Sequence, residues 1–339
     1  MSRRPHVFLA YTEAEFAQAY DVARWDALTR VAEVRRCIGA QPLDGAALAR
    51  QAQGCDAIVA FRSVPGHAET FDAMPGLVAF LRAAVDTSTI DVAAASRHGV
   101  LVTHVRPGFA NAVAELGLGM MIDLARGITR QRLAPGTPPR IGRELSGAVM
   151  GLVGYGTIAR QLHALAHALG MRTLAFDPGQ VDTGLVARVD LDTLLGQSDF
   201  VVCLAAATPA THGLMGAHAF ARMRRGAYFV NLARGELVDE DALEAALGSG
   251  HLAGAALDVG QAADQKPSAR FMARPDVVTS QHIGNSTAEA RAFQTLETIR
   301  QIEALARGEL PHGALNAREA TRHDAWMAAR AATPHIDMK

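Results

Sequence analysis

The sequence predicts an α/β fold organised around doubly wound parallel sheets. Short apolar segments alternate with amphipathic helical ones along most of the chain, and one apolar segment runs directly into a glycine-rich turn. The length of 339 residues is sufficient for two domains of ordinary size. Alternation of this kind is typical of parallel sheets, because each strand needs a crossover helix to reach the next.

The first part of the chain contains three predicted strands and three predicted helices. Each strand is a short apolar run bounded by small or polar residues, and each helix carries its apolar residues on one face. The strands are Val7–Ala10, Ala57–Phe61 and Val100–Thr103, and the helices are Asp44–Gln53, Asp91–His98 and Asn111–Arg126.

A new βαβ unit follows Ala134–Arg140, which holds three prolines and a glycine and is predicted to be an exposed connection. The unit consists of a strand at Ala148–Gly154, a helix at Thr157–Leu169 that stops at Gly170, and a strand at Thr173–Phe176. Later strands are predicted at Phe200–Leu204, Tyr228–Leu232, Gly254–Leu257 and Val277–Ser280, with helices at Asp190–Leu195, Glu240–Leu247 and Ala288–Arg307. The polar, aperiodic stretch Arg318–Lys339 predicts a loose tail.

The glycine-rich turn has the pattern G-x-G-x-x-G/A at Gly154, Gly156 and Ala159, between a strand and a helix. The first glycine permits a tight turn, the second lets backbone amides approach a pyrophosphate, and the small third residue allows close packing of helix on strand. Asp177 closes the next strand, where a carboxylate can accept hydrogen bonds from ribose hydroxyls and repel a 2′-phosphate. A turn that merely links strand to helix is the alternative, but Asp177 argues for a dinucleotide, and the absence of a closely following arginine favours NAD over NADP.

Composition points to a small-molecule partner. The 33 basic residues nearly balance the 34 acidic ones, so no overall field would attract nucleic acid or an anionic membrane. Cys37, Cys55 and Cys203 are widely spaced and lack a CxxC motif, which argues against a disulfide framework and against a thiolate metal site. We therefore expect a protein of the reducing cytoplasm.

Targeting and metal signals are weak. The apolar run near the start is too short for a signal peptide, and no stretch approaches the length of a membrane span. His163 and His167 stand four residues apart on a predicted helix, a spacing that can bind a metal, but no third ligand is evident. We expect no metal.

Several motifs between Arg82 and Gly313 occur together in one order: NAVAELGLGMMIDLARGI, GLVGYGTIAR, NLARGELVDEDAL, GAALDV and SQHIGNST. In this combination the chain resembles the D-isomer-specific 2-hydroxyacid dehydrogenases. The resemblance implies two Rossmann-like domains, with an NAD-binding domain (108–285) inserted into a substrate domain (1–107 and 286–322) and a tail at 323–339. It also implies a homodimer formed largely by the NAD-binding domains, to which the helix from Asn111 would contribute.

The resemblance assigns roles to individual residues. Arg234 matches the arginine that holds the substrate carboxylate and polarises the carbonyl, which suits a planar, permanently charged guanidinium. His282 matches the acid/base histidine, whose imidazole titrates near neutrality and can exchange the hydroxyl proton. Asp258 matches an aspartate that contacts the nicotinamide carboxamide, and further cofactor contacts are implied for Thr157, Ile158, Leu232 and Ala233.

One catalytic position departs from the family. The glutamate that usually hydrogen-bonds the histidine is replaced by Ala263 in an ungapped match. Asp264 lies one residue later and is our hypothesis for the substitute, while Gln261 and Gln265 are alternatives. A carboxylate partner would favour the charged imidazole.

The substrate loops also depart from the family. Asp86 stands where the family prefers glycine, and Ser88 where it prefers aspartate. Asp86 either faces the pocket, where it would disfavour a second anionic group on the substrate, or points to solvent in a rebuilt loop. In the loosely matching segment 61–69, Arg62 and Ser63 are the candidates for binding the substrate carboxylate.

Three functions are compatible with these residues. The first is an NAD-dependent dehydrogenase or reductase acting on a small D-2-hydroxy acid or 2-keto acid, supported by Arg234 and His282 beside the cofactor motif. The second is a non-enzymatic NAD(H)-responsive protein of the same fold, suggested by the missing glutamate. Oxidation of an inorganic or one-carbon anion is a third possibility, and the sequence chooses neither substrate nor direction.

Overall fold

The computed structural model of the chain describes residues 3–136, 138, 141–179, 186–262 and 264–331. It contains two compact units, which we call the flanking unit (Met1–Gly108 with Ala288–Lys339) and the inserted unit (Phe109–Thr287). The divisions fall one and two residues after the predicted ones. Each unit is an α/β layer structure around its own parallel sheet, so the predicted fold class is confirmed.

The flanking unit is built on a five-stranded parallel sheet with the order β2-β1-β3-β4-β5. Alternate strand residues enter two different cores, with Phe8 and Ile58 on one face and Leu9 and Val59 on the other. After β1, the chain adds β2 on one side of the sheet and then β3, β4 and β5 on the other. The topological switch point therefore lies between β1 and β3. The strands are β1 (His6–Ala10), β2 (Glu33–Arg36), β3 (Ala57–Ala60), β4 (Ala79–Arg82) and β5 (Leu101–His104).

Helices cover both faces of this sheet. The first of them begins at a capping box, in which the Thr12 hydroxyl accepts from the Glu15 amide and the Glu15 carboxylate accepts from the Thr12 amide. The helices are α1 (Glu13–Ala19), α2 (Val22–Val31), α3 (Gly45–Ala52), α4 (Ala68–Asp72), α5 (Val92–Arg97), α13 (Ala288–Arg307) and α14 (Thr321–Ala331).

A buried carboxylate fixes helix α13. Glu297 has a fully buried side chain, and its oxygens accept from Arg106 at 2.7 and 2.9 Å and from Arg300 at 2.8 Å. His312 lies 2.9 Å from the same carboxylate. These cations lower the pKa of Glu297 to about 2, with the Arg106 hydrogen bonds as the largest cause.

The expectation of a loose tail from Arg318 is wrong for the described residues, since Thr321–Ala331 forms helix α14. The Arg322 guanidinium donates to the carbonyls of Met74 and Leu77 at 2.9 and 3.2 Å, and the Trp326 indole donates to the Leu305 carbonyl at 2.9 Å. Polar side chains therefore hold this helix in place, and apolar periodicity in the sequence does not reveal contacts of that kind. Residues 332–339 lie outside the described part of the chain.

The inserted unit is built on a seven-stranded parallel sheet with the order β12-β11-β10-β9-β6-β7-β8. Both faces are covered, so the central strands are almost continuously apolar. The switch point lies between β6 and β9. The strands are β6 (Val149–Val153), β7 (Arg172–Phe176), β8 (Ala187–Arg188), β9 (Phe200–Cys203), β10 (Tyr228–Asn231), β11 (Gly254–Leu257) and β12 (Val277–Thr279).

The longest helix of this unit, α6, turns into α7 at Gly127, whose φ of +68° suits a glycine at a helix end. The predicted connection Ala134–Arg140 is described only at 134–136 and 138, where the chain forms neither helix nor strand. Across the described ranges we find no helix with the length and apolarity needed to cross a bilayer. The helices are α6 (Ala110–Arg126), α7 (Ile128–Leu133), α8 (Thr157–Ala168), α9 (Leu191–Gln197), α10 (Ala217–Arg222), α11 (Glu240–Gly248) and α12 (Ala269–Met272), with a 3-10 turn at Gly235–Leu237.

Candidate active site

The glycine-rich turn joins β6 to α8 at the switch point of the inserted sheet. Gly154 has a φ of +92°, and a Cβ built there would lie 2.6 Å from the Ala205 amide nitrogen. Gly156 differs, since a Cβ built there would meet no atom within 4 Å. The first glycine is thus required by the fold, whereas the second leaves open space in front of the backbone.

Helix α8 begins at Thr157, its N-cap Gly156 offers no side chain to cap it, and its first turn holds no acidic residue. Its first amides therefore remain available to an anion, which the partial positive charge of a helix N-terminus favours. Ala159 is fully buried against the sheet, as predicted for the third position of the motif. Of the other predicted contacts in this helix, Thr157 is exposed and Ile158 is half-buried.

Asp177 stands at the end of β7 and is half-buried. Its carboxylate accepts from the Tyr155 amide and from the Gly179 amide, each at 2.7 Å. Each oxygen keeps a second lone pair, so both remain able to accept from a ribose hydroxyl. The structure also brings Arg188 near, its guanidinium 3.5 Å from the Pro178 carbonyl, which the spacing from Asp177 in sequence did not suggest.

The turn, the uncapped helix and the carboxylate together fit NAD. The open space before Gly156 is where a backbone can approach a pyrophosphate, and Asp177 lies on the neighbouring strand, where the ribose would follow. When bound, NAD accepts or supplies a hydride. The individual cofactor contacts of these residues stay predictions.

Arg234 lies on a tight turn after β10 and is half-buried. The buried Asn231 side chain braces this turn, because its Nδ2 donates to the Arg234 carbonyl and its Oδ1 accepts from the Ala233 amide, both at 3.0 Å. Gly235 follows, and a Cβ there would lie 2.1 Å from the Gly260 carbonyl oxygen. The predicted contacts Leu232 and Ala233 are both buried at this strand end.

His282 lies on a second turn, after β12, with a φ of +57°. Its amide donates to the Asp258 carbonyl at 2.8 Å. The Asp258 carboxylate is buried and accepts from the Ser280 hydroxyl at 2.6 Å and from the amides of Ile283 and Gly284 at 2.8 and 3.0 Å. Strands β10, β11 and β12 are neighbours, so Arg234, Asp258 and His282 follow three consecutive strand ends of one sheet.

The loop between Asp258 and α12 includes the position of the missing glutamate. Ala263 lies outside the described residues. Asp264 has a 55% exposed side chain whose carboxylate pairs with the Lys266 ammonium at 2.8 Å, and hydrogen bonds from Lys266 lower its pKa. Gln261 donates to the Val238 carbonyl at 2.7 Å, and Gln265 has a φ of +60°. The role of Asp264 as partner of His282 stays a hypothesis.

Two segments of the flanking unit carry the predicted substrate residues. The Ser63 hydroxyl donates to Glu15 at 2.7 Å, and Asp86 accepts from the Ser88 amide at 2.9 Å. Arg62 is half-buried beside Ser63, directly after β3 and therefore at the switch point. The substrate contacts of these residues stay predictions.

A residue that was not predicted from the sequence connects these two segments. Arg82 is fully buried at the end of β4, and its guanidinium donates to the carbonyls of Phe61 and Val64 at 2.5 and 2.9 Å and to the Thr89 hydroxyl at 3.0 Å. Burial lowers its pKa to about 10, so it stays charged at neutral pH. Arg82 precedes the loop of Asp86 and Ser88 in the sequence, and a buried arginine between two loops cannot be inferred from that position.

No group of three or more metal-ligating side chains occurs within the described ranges. His163 and His167 pack ring against ring with centroids 5.8 Å apart, and His163 also contacts Tyr155. Burial lowers the pKa of His163. His163 is thus part of the packing beneath the glycine turn, whereas His167 is exposed.

Comparison with known proteins agrees with this geometry. Residues 118–284 match the sequence profile of the D-isomer specific 2-hydroxyacid dehydrogenase, NAD binding domain. The chain is 34% identical over 255 residues to hydroxypyruvate reductase of Thermotoga maritima, an alignment that covers 73% of this chain and 83% of that protein. It is 33% identical over 291 residues to D-3-phosphoglycerate dehydrogenase of Rattus norvegicus, covering 83% of this chain but only 54% of that longer protein.

Solved structures show the same architecture. A D-isomer specific 2-hydroxyacid dehydrogenase structure from a Polaromonas species covers 92% of this chain and 100% of its own, with a TM-score of 0.82 and 26% identity. The predictions of the family, the fold class and NAD are confirmed. The chain belongs to the D-isomer-specific 2-hydroxyacid dehydrogenase family and is an NAD-dependent oxidoreductase of that type.

Proposed function

We propose that the protein transfers a hydride between NAD and a small D-2-hydroxy acid or its 2-keto acid. The observation that carries this proposal is the placement of Arg234 and His282 on braced turns after β10 and β12, the strands on either side of β11 in the sheet that holds the glycine turn. Similarity to a hydroxypyruvate reductase and to phosphoglycerate dehydrogenases supports a short substrate.

In the proposed reaction, Arg234 binds the substrate carboxylate and polarises the reacting carbonyl. Its guanidinium is planar and carries several donors, so it can form two parallel hydrogen bonds with a carboxylate. His282 gives a proton to the carbonyl oxygen during reduction and takes it back during oxidation. The rigid turns fix both groups before substrate arrives, which lowers the cost of orientation.

The test is NADH oxidation with glyoxylate, hydroxypyruvate, pyruvate, longer 2-keto acids and phosphonooxypyruvate. We expect turnover of at least one keto acid, and a loss of about 1,000-fold or more in kcat for His282→Ala, because general acid–base catalysis and its geometry are removed together. His218→Ala, an exposed histidine of the same unit, is the matched control. Tight NADH binding without turnover on any substrate, including formate and phosphite, would instead support the non-enzymatic alternative, which the surface pairing of Asp264 with Lys266 favours.

We also propose a homodimer formed through the inserted unit. Ile122, Ile128 and Ile141 are 39, 58 and 95% exposed around the α6–α7 corner, an arrangement that suits burial against a second copy. Sedimentation of wild type and Ile128→Asp measures this directly. A cytoplasmic location is proposed as well, since Cys37, Cys55 and Cys203 are all free and buried thiols.

A further inference from the structure

Glu240, the first residue of α11, is only 7% exposed, which is unusual for a glutamate unless its carboxylate has partners. The partners come from one segment, 21 to 30 residues later in the chain. The Gln261 amide donates to Oε1 at 3.1 Å, and the Ser268 hydroxyl and the Arg270 guanidinium donate to Oε2 at 2.5 and 3.3 Å. One carboxylate therefore holds both ends of this segment.

The segment 261–268 needs such an anchor, because its described residues form neither helix nor strand. Just before it, the backbone lies against the turn that follows Arg234. A Cβ built on Gly235 would lie 2.1 Å from the Gly260 carbonyl oxygen, and a Cβ built on Gly260 would lie 2.5 Å from the Lys266 carbonyl oxygen. Three stretches of main chain are thus stacked with no room for a side chain between them.

A second contact ties the segment to the far end of the Arg234 turn. The Gln261 side chain donates from Nε2 to the Val238 carbonyl at 2.7 Å. On the other side of the turn, the Asn231 side chain donates to the Arg234 carbonyl at 3.0 Å. The turn is therefore fixed from the strand end by Asn231 and from its far end by the segment that Glu240 anchors.

We propose that Glu240 is a positioning residue, whose carboxylate holds the segment 261–268 on the turn 234–238 so that the Arg234 guanidinium points towards the substrate carboxylate. This inference rests on the proposed function. The carboxylate binds the segment, and the segment contacts the main chain of the turn. A carboxylate suits this place because it only accepts hydrogen bonds, and all three of its partners can donate.

The experiment compares kcat, KM and the Kd values of NADH and oxamate in Glu240→Ala, Glu240→Gln and Gln261→Ala. Oxamate is an unreactive analogue of a short 2-keto acid, so its affinity reports on Arg234 without turnover. A guanidinium displaced by up to an ångström should raise KM and the oxamate Kd by about 100-fold in Glu240→Ala, with the NADH Kd within about twofold of wild type. Glu240→Gln keeps an acceptor for the Gln261 amide, and Gln261→Ala keeps the carboxylate, so each should lose roughly 10-fold.

Glu244→Ala is the matched control. Glu244 also lies on α11 and accepts from Arg270, at 3.0 Å, but its side chain is 42% exposed. Its loss should leave kinetics and affinities unchanged, because exposed ion pairs contribute little. An equal effect of Glu244→Ala and Glu240→Ala would assign the effect to Arg270 and overturn the role of Glu240.

A double-mutant cycle separates positioning from a general loss of structure. Since Glu240 acts through Arg234, Glu240→Ala should change kcat/KM by less than about threefold once Arg234→Gln has removed the guanidinium. A merely structural effect would lower the melting temperature and multiply in full with the effect of Arg234→Gln. Independent losses in the cycle would therefore overturn the inference, as would weakened NADH binding with oxamate binding retained, or unchanged values in all three variants.

The proposed function can fail separately from this inference. Wild-type turnover that requires His282 establishes the function, and turnover with independent losses in the cycle removes only the role of Glu240. Oxamate binding that depends on Glu240 in a protein without turnover would remove the dehydrogenase activity and keep the positioning role. A wild-type protein that neither turns over a keto acid nor binds oxamate would overturn both.

Discussion

The carboxyl edges of the two sheets hold their polar groups in different ways. In the inserted unit, glycine geometry and the neutral Asn231 side chain shape the turns at Gly154 and Arg234. In the flanking unit, buried charges hold the segments together, as Arg82 does between two loops and Glu297 does on α13. The difference implies that steric changes should break the first edge, and changes of charge or pH the second.

The largest expected effect tests the steric control of the inserted unit. Gly154→Ala places a methyl group 2.6 Å from the Ala205 amide nitrogen at a φ of +92°, so we expect a loss of more than about 3 kcal/mol of stability, with NADH binding abolished. Gly156→Ala is the matched control, because a Cβ there meets nothing within 4 Å. It should keep the melting temperature of wild type and weaken NADH binding alone; equal melting temperatures for both variants would contradict the comparison.

The next effect tests the flanking unit. Arg82→Met removes three donated hydrogen bonds and leaves the part-buried carbonyl of Phe61 and the buried carbonyl of Val64 without that donor, which should cost about 3 kcal/mol. Hydrogen exchange of peptides from both units measures the loss where it occurs. We expect faster exchange in the loops after β3 and β4, and no change for Arg50→Met, an exposed arginine of the same unit. Loosening confined to the inserted unit would argue against a separate role for Arg82.

The smallest of the three is a pH effect. The pKa of Glu297 lies at about 2 in the folded protein, below its ordinary value of 4.5, so its contribution is complete above about pH 4.5 and is lost as the pH falls towards 2. We expect about 2 kcal/mol, less than the full linkage value, because the Arg106 and Arg300 side chains are 62 and 57% exposed and screened by solvent. The protection of the α13 amides, measured relative to their intrinsic exchange rates at each pH, should fall over this interval in wild type and stay constant there in Glu297→Gln. Equal acid sensitivity of the two proteins would refute this assignment.

The burial of the strands explains which of them could be predicted from the sequence. Strands of the inserted unit were predictable because both faces of its sheet are buried, and their residues form continuous apolar runs such as Val149–Val153. Strand β2 of the flanking unit, Glu33–Arg36, is a polar edge strand with alternating exposure, and its sequence gives no such signal. Strand β8, which is short, and helix α14, which polar side chains anchor, were also missed, because neither shows a continuous apolar run.

The candidate site also contains residues that the sequence predicts and residues that it does not. Gly154, Arg234 and His282 stand in local motifs, which can be recognised without knowing the fold. Arg82 acts through partners 7 to 21 residues away, and the three donors to Asp258 lie 22 to 26 residues away from it. Such contacts depend on the arrangement of strands in the sheet, which spacing in the sequence does not supply.

The hydrogen bonds of Arg82 have a consequence for how this protein can evolve. Its guanidinium holds the main-chain carbonyls of Phe61 and Val64, groups that every amino acid provides. Residues 62 and 63 can therefore exchange their side chains while the course of the loop is kept. A lineage carrying this arginine is free to explore new side chains at that edge one mutation at a time, without first rebuilding the loop that presents them.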